Sequence, residues 1–184
     1  MALGDSQVYV LDRNDCLARV GAAWDSAAIA NGVPELCAAS ALGTSLWSHI
    51  GDPTTAELYR LILDRVRSGR LVNVPFDGSG PGVLREMRLH LRALPGDHVE
   101  CTSTVVRERW QGAVRSRAAG AVPQPMRLTV CSWCGRMRVE TEWREVEVAV
   151  TALRVFMAAA PSVISHGACP TCAVRLLEDA HDPD

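Results

Sequence analysis

Leu84-Arg85-Glu86-Met87-Arg88-Leu89-His90-Leu91-Arg92-Ala93-Leu94 carries a strict two-residue alternation in its second half. Met87, Leu89, Leu91 and Ala93 fall on one side, and Arg88, His90 and Arg92 on the other. Side chains of a strand point alternately to opposite faces, so this stretch is a strand with one buried face, and His90 points away from it. Two neighbours have similar character, Leu71 to Phe76 and Val99 to Val106, set off by Asp77-Gly78-Ser79-Gly80-Pro81-Gly82 and Pro95-Gly96-Asp97. In the last of them Val99, Cys101, Ser103 and Val105 share a face, which turns Cys101 toward the core.

Upstream, Asp52 is an N-cap and Pro53 suits the first helical position, while Leu58, Leu61, Ile62 and Val66 keep helical spacing up to Gly69. Before that helix lie short helical pieces over Glu35 to Ala41 and Ala22 to Ala30, the second with Trp24 as a core anchor. At the start, residues 7 to 12 and 16 to 20 read as a hairpin about Asp12-Arg13-Asn14-Asp15. Two strands, several helices and three strands are most economically buried as an α+β fold: a five-stranded antiparallel sheet with helices on one face.

Downstream the pattern breaks. Residues 108–126 read as a linker between a domain at 6–107 and a C-terminal module at 127–180, with Trp110 expected to pack back on the sheet. Within the module, Arg136 to Val139 is a candidate strand, Trp143 to Met157 suits a strand and then a helix, and Ala173 to Ala180 is a short helix.

That module holds Cys131-Ser132-Trp133-Cys134 and Cys169-Pro170-Thr171-Cys172. Two Cys-x-x-Cys turns present four thiolates in the manner of a tetrahedral zinc site, and four thiolates leave no open position, which suits a structural metal. His166 stands three residues before Cys169 as an alternative ligand or a neighbour of the ligands. A redox-labile version of the quartet would make the site a metal-based switch. A catalytic zinc would need a water and a base, for which Glu140 and Glu142 are the nearest acids, and the expectation is that the protein is not an enzyme. Removing either knuckle is expected to unfold the module and leave the sheet domain largely intact.

The chain has 184 residues with a net charge of -2, and all of its 19 basic residues are arginine. A balance this close to neutral argues against a dedicated nucleic-acid binder. Arg107, Arg109, Arg115 and Arg117 nevertheless cluster, so binding to nucleic acid or the transcription machinery through 107–117 and the zinc module is kept as an alternative. No apolar run reaches the length of a membrane span and no secretory leader is visible, so a cytoplasmic protein with reduced thiols is expected. Cys16, Cys37 and Cys101 then read as small apolar side chains, and His49 as a satisfied histidine with contact to a pocket as the alternative. No phosphate loop or hydrolase nucleophile motif is present, and no ligand-binding residue is assigned.

Tyr9-Val10-Leu11-Asp12-Arg13, Ala23-Trp24-Asp25, Leu42-Gly43-Thr44-Ser45-Leu46-Trp47, Leu58-Tyr59-Arg60 and Val74-Pro75-Phe76 together resemble a bacterial PAS-like sensory family. The Cys-Ser-Trp-Cys and Ser-His-Gly-x-Cys-Pro-x-Cys pair is similar to a tail carried by some of its members. The resemblance implies a sensory or regulatory module with a pocket between sheet and helices, a small-molecule ligand of unknown identity, a protein partner, and homodimer formation.

Overall fold

The computed structural model describes residues 6–79, 83–110, 125–158 and 162–179. Strand β4 (Val83–Leu94) pairs antiparallel with β3 (Val72–Asp77) on one side and with β5 (His98–Trp110), the middle strand of the sheet, on the other. The hairpin of β1 (Gln7–Leu11) and β2 (Leu17–Val20) joins beyond β5, giving a sheet of order β2-β1-β5-β4-β3. Its register explains the segregation of side chains. Val72, Leu91, Cys101, Tyr9 and Val20 form one cross-strand row, and the next row, Asn73, His90, Thr102 and Val8, points to the opposite face. His90 is exposed and Cys101 fully buried, as the alternation requires.

Between β2 and β3 lie α1 (Trp24–Ala30), a 3₁₀ turn at Pro34–Leu36, α2 (Ala38–Ala41), a second 3₁₀ turn at Leu46–His49 and α3 (Pro53–Arg67). This is the strand, strand, helices, three-strand order expected from the sequence. One boundary differs from the expectation: β5 runs on to Trp110 and takes in Arg107 and Arg109. Alternating Arg and Glu carry no apolar signal there. Pairing with β4 holds the ribbon, helped by an ion pair from Arg85 Nε to Glu108 Oε2 at 2.7 Å. Trp110 is 71% exposed and does not pack back. Arg115, Arg117 and Gly80-Pro81-Gly82 lie outside the described residues.

Helix α3 starts where the sequence says. Asp52 Oδ2 accepts from the Thr55 N–H at 2.7 Å, satisfying a donor that the helix itself leaves open. Leu58, Ile62, Leu63 and Val66 are buried in one cluster with Val72, Leu89, Leu91 and Val99 of the sheet. At its end Arg67 donates to Asp97 O and Asp12 O and pairs with Asp15 at 2.5 Å, tying two turns of the sheet to the helix.

The C-terminal residues build a second sheet of order β8-β7-β6-β9 from β6 (Met126–Cys131), β7 (Met137–Val139), β8 (Glu142–Arg144) and β9 (Ser162–Gly167). β6 and β9 are parallel, connected through α4 (Val146–Ala152), and α5 (Pro170–Asp179) closes the described chain. Leu128, Val130, Met137, Val146, Ala149 and Val150 belong to the same buried cluster as Leu58 and Ile62, so a single apolar core crosses both sheets. α4 packs against β3, the edge strand, where Thr151 Oγ1 gives its hydrogen to Glu147 O at 2.8 Å and stands 3.3 Å from Asn73 O. Phe156 meets Tyr59 of α3 with ring centroids 5.4 Å apart. No helix among the described residues is long and apolar enough to cross a membrane.

Candidate metal centre and adjoining cavity

β6 delivers Cys131 to the first knuckle, a turn closed by Cys131 N–H to Arg136 O at 2.8 Å and Gly135 N–H to Cys131 O at 3.0 Å. Gly135 has φ +69°, and a Cβ there would stand 3.1 Å from Leu61 Cδ2 of α3, so glycine serves both the turn and the close approach. The parallel register sets Gly167 beside Cys131 and so brings Cys169 next to the first knuckle. Cys169 then precedes α5, whose first turn holds Cys172, with Ala173 N–H bonded to Cys169 O at 2.8 Å.

The result is that the sulfurs of Cys131, Cys134, Cys169 and Cys172 all lie within 4.8 Å of one another. A tetrahedron of Zn–S bonds has an edge of about 3.8 Å, and Cys134 Sγ stands 3.7 Å from Cys169 Sγ. The four sulfurs therefore fit a metal ion, and a soft all-thiolate set suits zinc or iron. Backbone N–H groups already face them: Cys169 N–H to Cys131 Sγ at 3.4 Å and Cys172 N–H to Cys169 Sγ at 3.5 Å. Burial alone would raise Cys131, but N–H groups of Cys169, Cys134 and Trp133 outweigh it and bring the thiol to about 6. Cys172 is pushed up to about 12, chiefly by its hydrogen bond with Cys169. Cys134 is the exposed member of the four.

His166 is drawn elsewhere: its Nε2 lies 2.8 Å from Glu57 Oε1 on α3, and the four-atom cluster contains no histidine. Glu142 pairs with Arg144, and Glu140 sits exposed in the turn between β7 and β8. A cleft of about 400 Å³ separates α3 from the first knuckle, with Glu57, Asp64, Trp133, Cys134 and His166 on its walls.

A second hollow lies between the first sheet and its helices, about 250 Å³ in volume. Tyr9, Trp24, Leu36, His49, Thr55 and Tyr59 are among its lining residues, none of which is Asp, Glu or Arg. Trp24 meets Tyr9 edge-on at 5.8 Å and donates its indole N–H to Leu36 O at 2.6 Å. Burial raises both tyrosine hydroxyls well above their usual range, and the Cys101 thiol beside Tyr9 is pushed by burial to about 12.

A scan against protein-family models finds no match, and no curated protein matches the chain. Among solved structures, the chain is similar to the PAS domain of an HTR-like protein from Haloarcula marismortui. That likeness has 20% sequence identity and a TM-score of 0.38 over 55% of this chain and 81% of the other.

The sequence thus pointed to the four cysteines but assigned no residue to the cavity. Tyr9, Trp24 and Tyr59 come from three elements, and no spacing rule joins them. The visible signal was His49, close to Trp47 in Leu46-Trp47-Ser48-His49. Of the remaining cysteines only Cys101 is the buried small side chain expected, because Cys16 and Cys37 sit at turn and helix-cap positions and are half-buried.

Proposed function

We propose that this chain is a sensory or regulatory module of PAS-like fold, acting by ligand and protein binding and not as an enzyme, with structural zinc at Cys131, Cys134, Cys169 and Cys172. One observation carries the reading: α3 is a wall of both sites. Thr55 and Tyr59 face the cavity, while Glu57 and Leu61 line the cleft beside the cysteine knuckles. A change of packing on one side of such a helix is felt on the other, because a close-packed interior transmits strain. Zinc, when bound, supplies a closed cross-link between β6 and α5 with no position for water. The proposed partner is another protein, a second copy of the chain included, and the proposed compartment is the cytoplasm, where thiols stay reduced.

The test is metal analysis joined to hydrogen exchange. One zinc per chain is expected. Ala41→Leu, which adds volume to the cavity wall, is expected to alter exchange in 126–134 and 162–172. A change confined to 36–50, with melting like the parent's, would sink the coupling.

A second reading, a metal-based redox switch, is favoured by the exposure of Cys134 and its 3.7 Å separation from Cys169 Sγ. A hydroperoxide would oxidise the two thiolates to one disulfide. Its O–O bond breaks, the oxygens leave as water and the corresponding alcohol or water after taking up two protons, and the metal loses two donors. Zinc release in step with disulfide formation, followed by mass spectrometry, is the expected sign, and oxidation without release would remove this reading.

A further inference from the structure

The cavity beside α3 is selective in its polar chemistry. Trp24 spends its indole N–H on Leu36 O, and Thr55 donates its hydroxyl to Asp52 Oδ2 at 2.6 Å. His49 Nε2 stands 2.7 Å from Thr44 Oγ1, and that hydroxyl sends its hydrogen to Ala41 O at 2.6 Å. A hydroxyl has one hydrogen. Thr44 Oγ1 must therefore accept from His49, which fixes the proton of the neutral imidazole on Nε2 and leaves Nδ1 as an acceptor. Nδ1 has no hydrogen-bond partner among the described residues, while His49 lines the cavity from its exposed side.

The remaining wall sets size and charge. Three aromatic rings, Tyr9, Trp24 and Tyr59, offer faces and edges to a planar guest. At about 250 Å³ the space falls below drug-sized sites of roughly 300–1,000 Å³ and has room for one or two fused rings. An ionised guest would lose its hydration against walls with no counter-charge.

We infer that the cavity takes a small uncharged aromatic molecule bearing one hydroxyl or N–H donor, which His49 Nδ1 selects. This rests on the reading of the cavity as the sensory site and gives that site its ligand class.

The experiment titrates the zinc-loaded full chain with 2-naphthol, naphthalene and 2-naphthoate at neutral pH, by calorimetry. One 2-naphthol site is expected, about 10-fold tighter than naphthalene, the worth of one hydrogen bond, with 2-naphthoate the weakest. His49→Phe, which keeps a ring in place, should abolish that preference and leave naphthalene affinity within about two-fold, the hydrocarbon having no hydrogen bond to lose. Ala41→Leu should weaken all three probes by taking volume from the cavity. The inference is overturned if 2-naphthoate binds as well as 2-naphthol, if His49→Phe keeps the preference, or if no probe binds a chain whose circular dichroism is native. Binding of 2-naphthol without any change of exchange at the knuckles would uphold the ligand class and remove the sensory reading. Coupling by Ala41→Leu with no probe bound would do the reverse.

Discussion

The two sides of α3 are held by different physics. Toward the first sheet, Leu58, Ile62, Leu63 and Val66 are all but inaccessible, and apolar area makes most of the contact, with Arg67 adding polar bonds only at the helix end. Toward the knuckles the same helix uses point contacts: Glu57 with His166, Thr54 Oγ1 to Ser162 O at 2.9 Å, Arg65 with Glu145 and Glu147, and Leu61 against Gly135. The difference teaches where a metal is needed. Short strands such as β7 and β8 bury too little to order themselves, and thiolates on β6 and α5 supply what the area does not.

Stripping the metal, or Cys131→Ser, breaks this comparison most severely. Structural zinc contributes on the order of 10 kcal/mol in small domains, so a fall in melting temperature of roughly 20–40 °C is expected. The sequence suggested that only the C-terminal module would unfold. Because Leu128, Val130, Met137 and Val146 share a core with Leu58 and Ile62, a joint loss is now expected, seen as coincident transitions in far-ultraviolet dichroism and tryptophan fluorescence. A surviving upper transition at the parent's temperature would show the first sheet standing alone.

Ile62→Ala strikes the other side. Removal of a buried isoleucine costs about 3 kcal/mol from lost transfer energy and the cavity left behind. The denaturant midpoint should fall with zinc stoichiometry unchanged, and loss of zinc in the native baseline would mean the two sides are not separable in this way.

Gly135→Ala tests the place where they meet. A left-handed φ of +69° costs a non-glycine residue about 1–2 kcal/mol, and the new Cβ would press on Leu61. The variant should be less stable and bind zinc more weakly. Leu61→Ala in the same chain should restore part of the metal affinity and none of the backbone strain, and a full restoration would show that contact alone mattered.

How far the sequence disclosed this design depends on the range of the interaction. Leu89, His90 and Leu91 gave the sheet its faces because strand alternation is local, and Asp52-Pro53 gave the start of α3 for the same reason. The cysteine turns were legible because a metal demands a fixed spacing within each turn. What brings those turns together, the parallel pairing of Thr129 with Ser165 and Cys131 with Gly167, joins residues 36 apart and leaves no local trace in the polar stretch Ser162–Gly167. Met126, Leu128 and Val130 alternate with Arg127 and Thr129, a strand signature masked by the prolines before it. The single core had no signal at all, since burial of Val146 against α3 is a tertiary fact.

The smallest expected effect belongs to His166 and Glu57, and it sharpens the comparison most finely. The pair spans 109 positions of sequence and ties β9 to α3, so on topology alone it invites a large role. Exposure decides otherwise: both side chains reach solvent, at 53% and 35%. An exposed pair gains little over hydration and gives up side-chain freedom, so a double-mutant cycle of His166→Ala and Glu57→Ala should return about 0.2–1 kcal/mol of coupling, shrinking as salt is added. Zinc stoichiometry should stay at one throughout, because the histidine is engaged with α3 and the four sulfurs suffice for the ion. Were zinc lost in His166→Ala but not in Glu57→Ala, the histidine would be a ligand, and the knuckle side of α3 would owe its order to three cysteines and one imidazole.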